Sequence, residues 1–379
     1  MKVFRWLPSL LLAVLSLPLT GCWDYDKINE RTPIIGIGAD PVKGDEKNLA
    51  FTFQVQTFTG DNASSSKGQK GERTPNNFKN YHAVAPDLHT AMAIAQTLSI
   101  KKFYLGDFNL LLINRHLKAS QVAKVILEFI RDSSSDRLAY LFCADQSANE
   151  ILSATGTQVS PADALHDQLE SKAMQKAYMT RTKVWEFWRD ILRIAVEPKL
   201  GVLTMRGKSF DISGTEAFSG YQPALKLNRK ETVFFHLFND NLHDMAFTIP
   251  DHDKTFEVDH VSSFSHIAVR HKGGDTILFD HIVVNATLSN DENENQVSLS
   301  KNEVHRYELV MRSYLQMQGL NVMQKLQKHK LDIYGFGQYE VVKHPEDLKN
   351  LQSKWPTTFA NAKPQIQLEV HINHTGTLM

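Results

Sequence analysis

Four residues set the terms for the rest of the chain: Leu19-Thr20-Gly21-Cys22. They close a short apolar segment that follows two cations, Lys2 and Arg5. The next residues, Trp23-Asp24-Tyr25-Asp26, are too polar to continue it. A cationic start, an apolar run too short to span a bilayer, two small residues and then Cys make an export signal ending in a lipobox. Small residues let the extended chain enter a peptidase groove, and the Cys22 thiol then carries a thioether-linked lipid. We expect residues 1–21 to be removed, Cys22 to be the lipidation site, and the remainder to fold outside the cytoplasm.

An oxidising compartment permits disulfides, yet the chain has 2 Cys in all. A lipidated Cys22 cannot pair, which leaves Cys143 alone, so stability must come from ordinary cores. Residues 139–144, around Cys143, read as a buried strand. No His or cation adjoins the thiol to depress its pKa, so it reads as a structural thiol. Lys+Arg and Asp+Glu are both 42, a balance that points away from a nucleic-acid binder. After residue 22 no apolar run approaches the length of a membrane span.

The pattern along the chain predicts an α+β protein. Strands are expected at 32–39 and 49–56, the second with Phe51, Phe53 and Val55 on one face and Thr52, Gln54 and Gln56 on the other. Residues 59–79 have almost no apolar content and read as a long loop. Asp87 is placed to cap a helix carrying Leu88, Ala91, Ala95 and Leu98. Strands follow at 103–105 and 109–114. Ser120 is expected to cap a helix that carries Val122, Val125, Ile126, Phe129 and Ile130 and ends at the polar stretch 132–136. Ser147 with Glu150, and Ser160-Pro161 with Asp163, are helix starts. A helix over 183–194 stops at Pro198.

A new unit begins near residue 196. Residues 200–209 open it, followed by a strand and turn at 210–214, a strand at 214–220, a helix at 227–238 and a strand at 245–249. Beyond 254 a strand meander turns at Gly273-Gly274, and a polar loop covers 291–295. Ser300 and Glu303 form a capping box for the longest helix, with Val304, Tyr307, Met311, Tyr314, Leu315, Val322 and Leu326 on its core stripe. A short helix at 345–355 precedes a last strand in which Ile366, Leu368, Val370 and Ile372 alternate with polar residues. We expect three mixed α/β domains after the 1–21 signal: 22–195, a small middle unit 196–254, and 255–379. The last should be an antiparallel sheet packed on the long helix.

No chemistry-bearing constellation stands out. Gly36 and Gly38 lack the third glycine and the helix of a dinucleotide fingerprint. Gly201 and Gly207-Lys208-Ser209 nearly spell a phosphate loop, but with five residues between the glycines and a strand where a helix must start. The 16 His include His243-Asp244, Asp251-His252-Asp253 and Asp259-His260, scattered through turns without metal-ligand spacing. There is no Gly-x-Ser-x-Gly elbow. The residues alone yield no catalytic, metal or cofactor site.

Four places in order resemble one family. They are Leu19 to Asp24; Phe103-Tyr104-Leu105-Gly106-Asp107-Phe108-Asn109 with the leucines after it; Gly214-Thr215-Glu216-Ala217-Phe218; and Leu331-Asp332-Ile333-Tyr334-Gly335-Phe336-Gly337 with Trp355 and the strand over 366–376. Together they resemble the Ger(x)C spore germination lipoproteins, the C subunits of nutrient germinant receptors. Lys27, where an acid is expected, and Asp107, where His is frequent, depart from the pattern. The resemblance implies a non-enzymatic subunit without cofactor. It would be held by a diacylglyceryl Cys22, bearing acyl chains such as palmitate, on the outer face of the spore inner membrane. It would act with A-type and B-type membrane subunits. A lipid-anchored solute-binding protein is the competing reading; it needs two comparable lobes and a hinge, whereas this chain divides into unequal units.

Overall fold

The computed structural model describes residues 30–57, 78–132, 135–157, 159–171, 176–239, 242–290 and 300–374. The signal, Cys22 and Lys27 lie outside them, as do the 291–295 loop and nearly all of the 59–79 loop.

Nine strands of the described residues form the first sheet: β1 (Arg31–Val42), β2 (Asp45–Gln56), β3 (Phe78–Ala85), β4 (Lys102–Tyr104), β5 (Leu110–Asn114), β6 (Tyr140–Ala144), β7 (Lys199–Arg206), β8 (Ser209–Ser219) and β9 (Gln222–Asn228). Their order is β3-β2-β1-β5-β6-β7-β8-β9, with β4 also beside β1. The central β1, β5, β6 and β7 are parallel, β4 also pairs in parallel with β1, and β2, β3, β8 and β9 pair antiparallel. Parallel neighbours need crossovers, so helices cover both faces. α1 (Leu88–Gln96), α2 (Ala119–Arg131) and α5 (Val184–Leu192) pack on one side; α3 (Ala148–Leu152) and α4 (Pro161–Glu170) pack on the other.

Double coverage explains one departure. Thr52 and Gln54, expected to face water, are buried. Gln54 Nε2 donates to Leu152 O (2.6 Å), and its Oε1 accepts from Ala162 N (2.9 Å). One polar side chain thus satisfies an orphan carbonyl at the end of α3 and an orphan amide at the start of α4. Gly36 and Gly38 serve the same approach: a Cβ would come within 3.0 Å of Ala162 Cβ and 2.9 Å of Ala148 Cβ. Gly207-Lys208 is the turn of the β7–β8 hairpin, with Gly207 at φ 63°. Ser120 is not the cap of α2 but lies within its first turn: the N-cap is Lys118, two residues earlier, and its N–H donates to Gln121 Oε1 (3.0 Å).

The second sheet runs β10 (Leu242–Asp251), β11 (Lys254–Lys272), β12 (Asp275–Asn290), β13 (Lys363–His374). The expectation of a wholly antiparallel sheet fails at its last strand: β13 runs parallel to β12. The cause is the helical connection. A chain that leaves β12 through α7 (Lys301–Lys328), α8 (Phe336–Lys343) and α9 (Leu348–Asn361) returns to the starting end of the sheet, which forces a parallel pair. The expected stripe of α7 faces the core: Tyr307, Met311, Leu315, Val322 and Leu326 are buried, and Val304 and Tyr314 pack beside them. Ser300 Oγ accepts from Glu303 N at its start. α9 continues six residues past the expected end, through Pro356.

Residues 196–254 are shared out. β7, β8 and β9 extend the first sheet, β10 opens the second, and α6 (Arg229–Leu237) fills the seam with Phe234, Phe235 and Leu237. β9 was not expected; the chain stays extended to Asn228, whose side chain then caps α6 by accepting from Glu231 N (2.9 Å).

Candidate functional site

The seam between the sheets is where the marked segments meet. Asp332 is buried in the turn after α7, and its carboxylate accepts from Gly335 N (2.9 Å), Phe336 N (3.3 Å), Gly337 N (2.8 Å) and Trp355 Nε1 (2.9 Å). Three successive donors at a helix start are the groups a capping acid satisfies. Gly335 sits at φ 88°, and at Gly337 a Cβ would lie 2.1 Å from Ala195 O. That close approach seats the turn on the strap of residues 194–199 between α5 and β7. Asp332 N donates to Glu197 Oε2 (2.7 Å), and Glu197 N donates back to Asp332 O (3.2 Å). Lys199 Nζ reaches Ile333 O (3.2 Å), and Gln338 Nε2 donates to Ile194 O. On the strap's other side Phe218 N donates to Pro198 O (2.9 Å).

Buried acids give the seam its electrostatics. Burial, and then the neighbouring Asp332, push the Glu197 carboxyl up to about 8. Burial also raises Asp332, opposed by its four N–H donors. Those donors favour the ionised form of Asp332, whereas burial beside Asp332 favours the protonated form of Glu197. Asp280, on β12, is pushed up to about 7 by burial; Ser265 Oγ donates to its Oδ1 (2.7 Å). Tyr334 is raised by burial and by Asp280, and its ring lies 5.1 Å between centroids from Phe235 of α6, tilted 50° to it.

Beside the strap lies a cavity of about 420 Å³ lined by Thr180, Arg181, Glu186, Arg189, Lys199 and His236, among others. Thr180 Oγ1 is 2.7 Å from Thr215 Oγ1 and 3.1 Å from His236 Nε2. The cations are engaged by the protein itself: Arg181 with Leu169 O, Arg189 with Asp190, Lys199 with Ile333 O. The cavity is a polar hollow on the seam rather than a set of free charges aimed at a ligand.

Two family models match the chain in order: the spore germination protein N-terminal domain over residues 24–205, and the spore germination B3/GerAC-like C-terminal domain over 213–376. The chain belongs to the GerAC-like spore germination protein family. Spore germination protein B3 of Bacillus subtilis is 23% identical over 375 residues, covering 96% of each chain. Spore germination protein A3 of the same organism is 22% identical over 375 residues, covering 97% of each. The crystal structure of the GerBC protein shares the fold, with a TM-score of 0.56 at 14% identity over 92% of this chain and 99% of that one.

The remaining residues singled out in this GerAC-like chain are scattered. Cys22 lies outside the described residues. Cys143 is buried in β6, its thiol pushed well up by burial, as befits packing. The 103–109 segment is remote from the seam: Phe103 and Phe108 enter the first core, Phe108 lying 4.8 Å from Phe129, while Asp107 is exposed. Asp244 and His260 pair across β10 and β11 at 2.7 Å, both exposed, and Asp251 instead binds Arg306 of α7. Among the described residues no group of three or more His, Cys, Asp or Glu is arranged to hold a metal, and no helix is long and apolar enough to cross a membrane. Glu197 was missed. Its only signal was a lone acid between Val196 and Pro198, which suited a solvated turn equally well.

Proposed function

We propose that this chain is the membrane-tethered, non-catalytic subunit of a nutrient (germinant) receptor of spores. One observation carries the reading: relatives named as spore germination proteins align with it over nearly their whole length, and both family models match in order. In this reading Cys22 bears a diacylglyceryl lipid, the chain sits on the outer face of the spore inner membrane, and its partners are the A-type and B-type membrane subunits. Two acyl chains hold durably, at ~0.8 kcal/mol per buried methylene, where one holds only marginally. The tether raises the effective concentration of the folded part at its partners without any new contact. The division into 22–195, 196–254 and 255–379 belongs to this proposal, with the middle segment as the connector that contributes strands to both sheets.

Capture of this chain from detergent-solubilised spores tests the reading. It should bring down a multi-span transporter-like protein and a second, partly soluble membrane protein, and deletion of the chain should abolish nutrient-triggered germination. Normal germination of the deletion strain would contradict it. Tight capture of one nutrient by the soluble part, with germination unaffected, would favour a solute-binding protein instead.

A further inference from the structure

A groove beside α5 is one-sided in its chemistry. Its walls are Ile130 at the end of α2 and Trp185, Trp188 and Leu192 of α5, and its rim is Arg137, Arg189 and Arg193. Leu192 is 61% exposed and Trp185 36%. Every polar group on these side chains is a donor: three guanidiniums and two indole N–H groups. Asp190 takes Arg189 at 2.9 Å and Arg193 at 3.6 Å, so two cations share one carboxylate. Arg189 also lies over the Trp185 ring at 5.0 Å. Among the described residues the exposed Arg137 guanidinium meets no carboxylate, and neither indole N–H meets an acceptor. Apolar rings beside surplus donors suit an occupant made of aromatic groups and carboxylates.

The chain's own beginning has that chemistry. Trp23-Asp24-Tyr25-Asp26 alternates rings with acids, and residues 23–30 hold three acids, Asp24, Asp26 and Glu30, against Lys27. It also begins close by. Arg31 enters β1 at the edge of the first sheet where the parallel strands start. β6 starts at that edge two strands away, about 10 Å. Just ahead of β6, Trp185 N donates to Arg137 O (3.3 Å). Residues 23–30 can span up to ~28 Å, enough to lay 23–26 along the groove. We propose that Trp23 and Tyr25 pack in this groove against Trp185, Trp188 and Leu192, with Asp24 and Asp26 answering Arg137 and Arg193. The contact needs no lipid on Cys22, so it stands apart from the tether. Where Cys22 is lipidated, the contact adds a second path for force. The groove ends at the last turn of α5, and the strap of residues 194–199 begins two residues beyond Leu192. A pull on the tether then reaches the seam through α5 and the strap as well as through β1.

Photocrosslinking in the full chain tests this. p-Benzoylphenylalanine replaces Tyr25, the chain is irradiated in detergent micelles, and adducts are mapped by peptide mass. Adducts within one molecule, on residues 130–138 and 185–193, should exceed those on the rest of the surface about tenfold. Arg137→Glu with Arg193→Glu should cut them about tenfold, because like charges then face Asp24 and Asp26. Adding Asp24→Lys and Asp26→Lys should restore them, which an unfolded chain would not do. Both arginines are exposed, so their replacement should leave the fold intact. Adducts scattered without preference, or formed with detergent alone, overturn the proposal. So do groove adducts that the two arginine changes leave unaltered. Adducts joining two molecules overturn it as well and give the groove to a second copy. Failure of the tether itself appears elsewhere, in the membrane fractionation of spores.

Discussion

Asp40 and Asp332 use the same device in two regions. Each is a buried carboxylate holding four donors. Asp40, at the end of β1, accepts from Asn114 Nδ2 (2.7 Å), Ala148 N (2.8 Å), Asn149 N (2.9 Å) and Ser147 Oγ (3.0 Å). It occupies the crevice beyond the carboxyl ends of the parallel strands, at a helix start, where open α/β sheets commonly hold a ligand. Here the chain fills that place with its own acid, and every donor comes from within the first sheet and its connections. Asp332 holds its own turn and Trp355, but the turn also bears on Glu197 of the strap, so a second acid shares the burial. The first arrangement closes a layer. The second joins two layers and leaves a proton-binding group in the joint.

The largest expected effect is Asp332→Ala. It strands three amides, two of them buried, and the Trp355 indole N–H, and should cost about 4 kcal/mol in urea unfolding. Asp40→Ala should cost less, about 2–3 kcal/mol, because its donors lie nearer the surface at the start of α3. A larger loss at Asp40 than at Asp332 would break the comparison.

Glu197→Gln sharpens it. The folded-state pKa of Glu197, about 8, is above its ordinary 4.5. Its contribution to stability is therefore fully present below pH 4.5 and lost as pH rises through 8. The wild-type chain should lose stability as pH rises from about 4.5 to about 8 through both Glu197 and the buried Asp280, and Glu197→Gln should remove the Glu197 share, roughly 2 kcal/mol after allowance for partial exposure, while leaving the Asp280 share. Gln keeps an acceptor for Asp332 N, so parallel pH curves for the two chains would mean that Glu197 holds no proton. Cys143→Ala is the smallest change. It should cost about 1 kcal/mol through lost packing in β6, and the native thiol should resist alkylation until the chain unfolds.

The fold was legible wherever one principle decided an element. The core stripe of α7 and the caps at Asp87, Ser147, Ser160 and Ser300 can be read from spacing alone. What was hidden depended on partners distant in sequence. Gln54 reads as a solvent-facing residue of a half-exposed strand because the helix ends that use it lie about a hundred residues away. β13 has the alternation of an antiparallel strand, and only the path of the helices between it and β12 makes it parallel. The seam was half legible. The 331–337 turn and Trp355 stood out by resemblance, whereas Glu197 is defined by burial, which no local pattern near Pro198 discloses. The Cys22 reading rests on sequence alone, because a lipobox is a linear signal that needs no fold.

The tether at Cys22 is the central claim, and one comparison tests it most directly: membrane fractionation and nutrient-triggered germination of spores carrying wild-type or Cys22→Ala chain. The account predicts wild-type chain in the inner-membrane fraction, and release of Cys22→Ala with weakened germination. Cys22→Ala chain that stays in the membrane fraction and supports normal germination would contradict it.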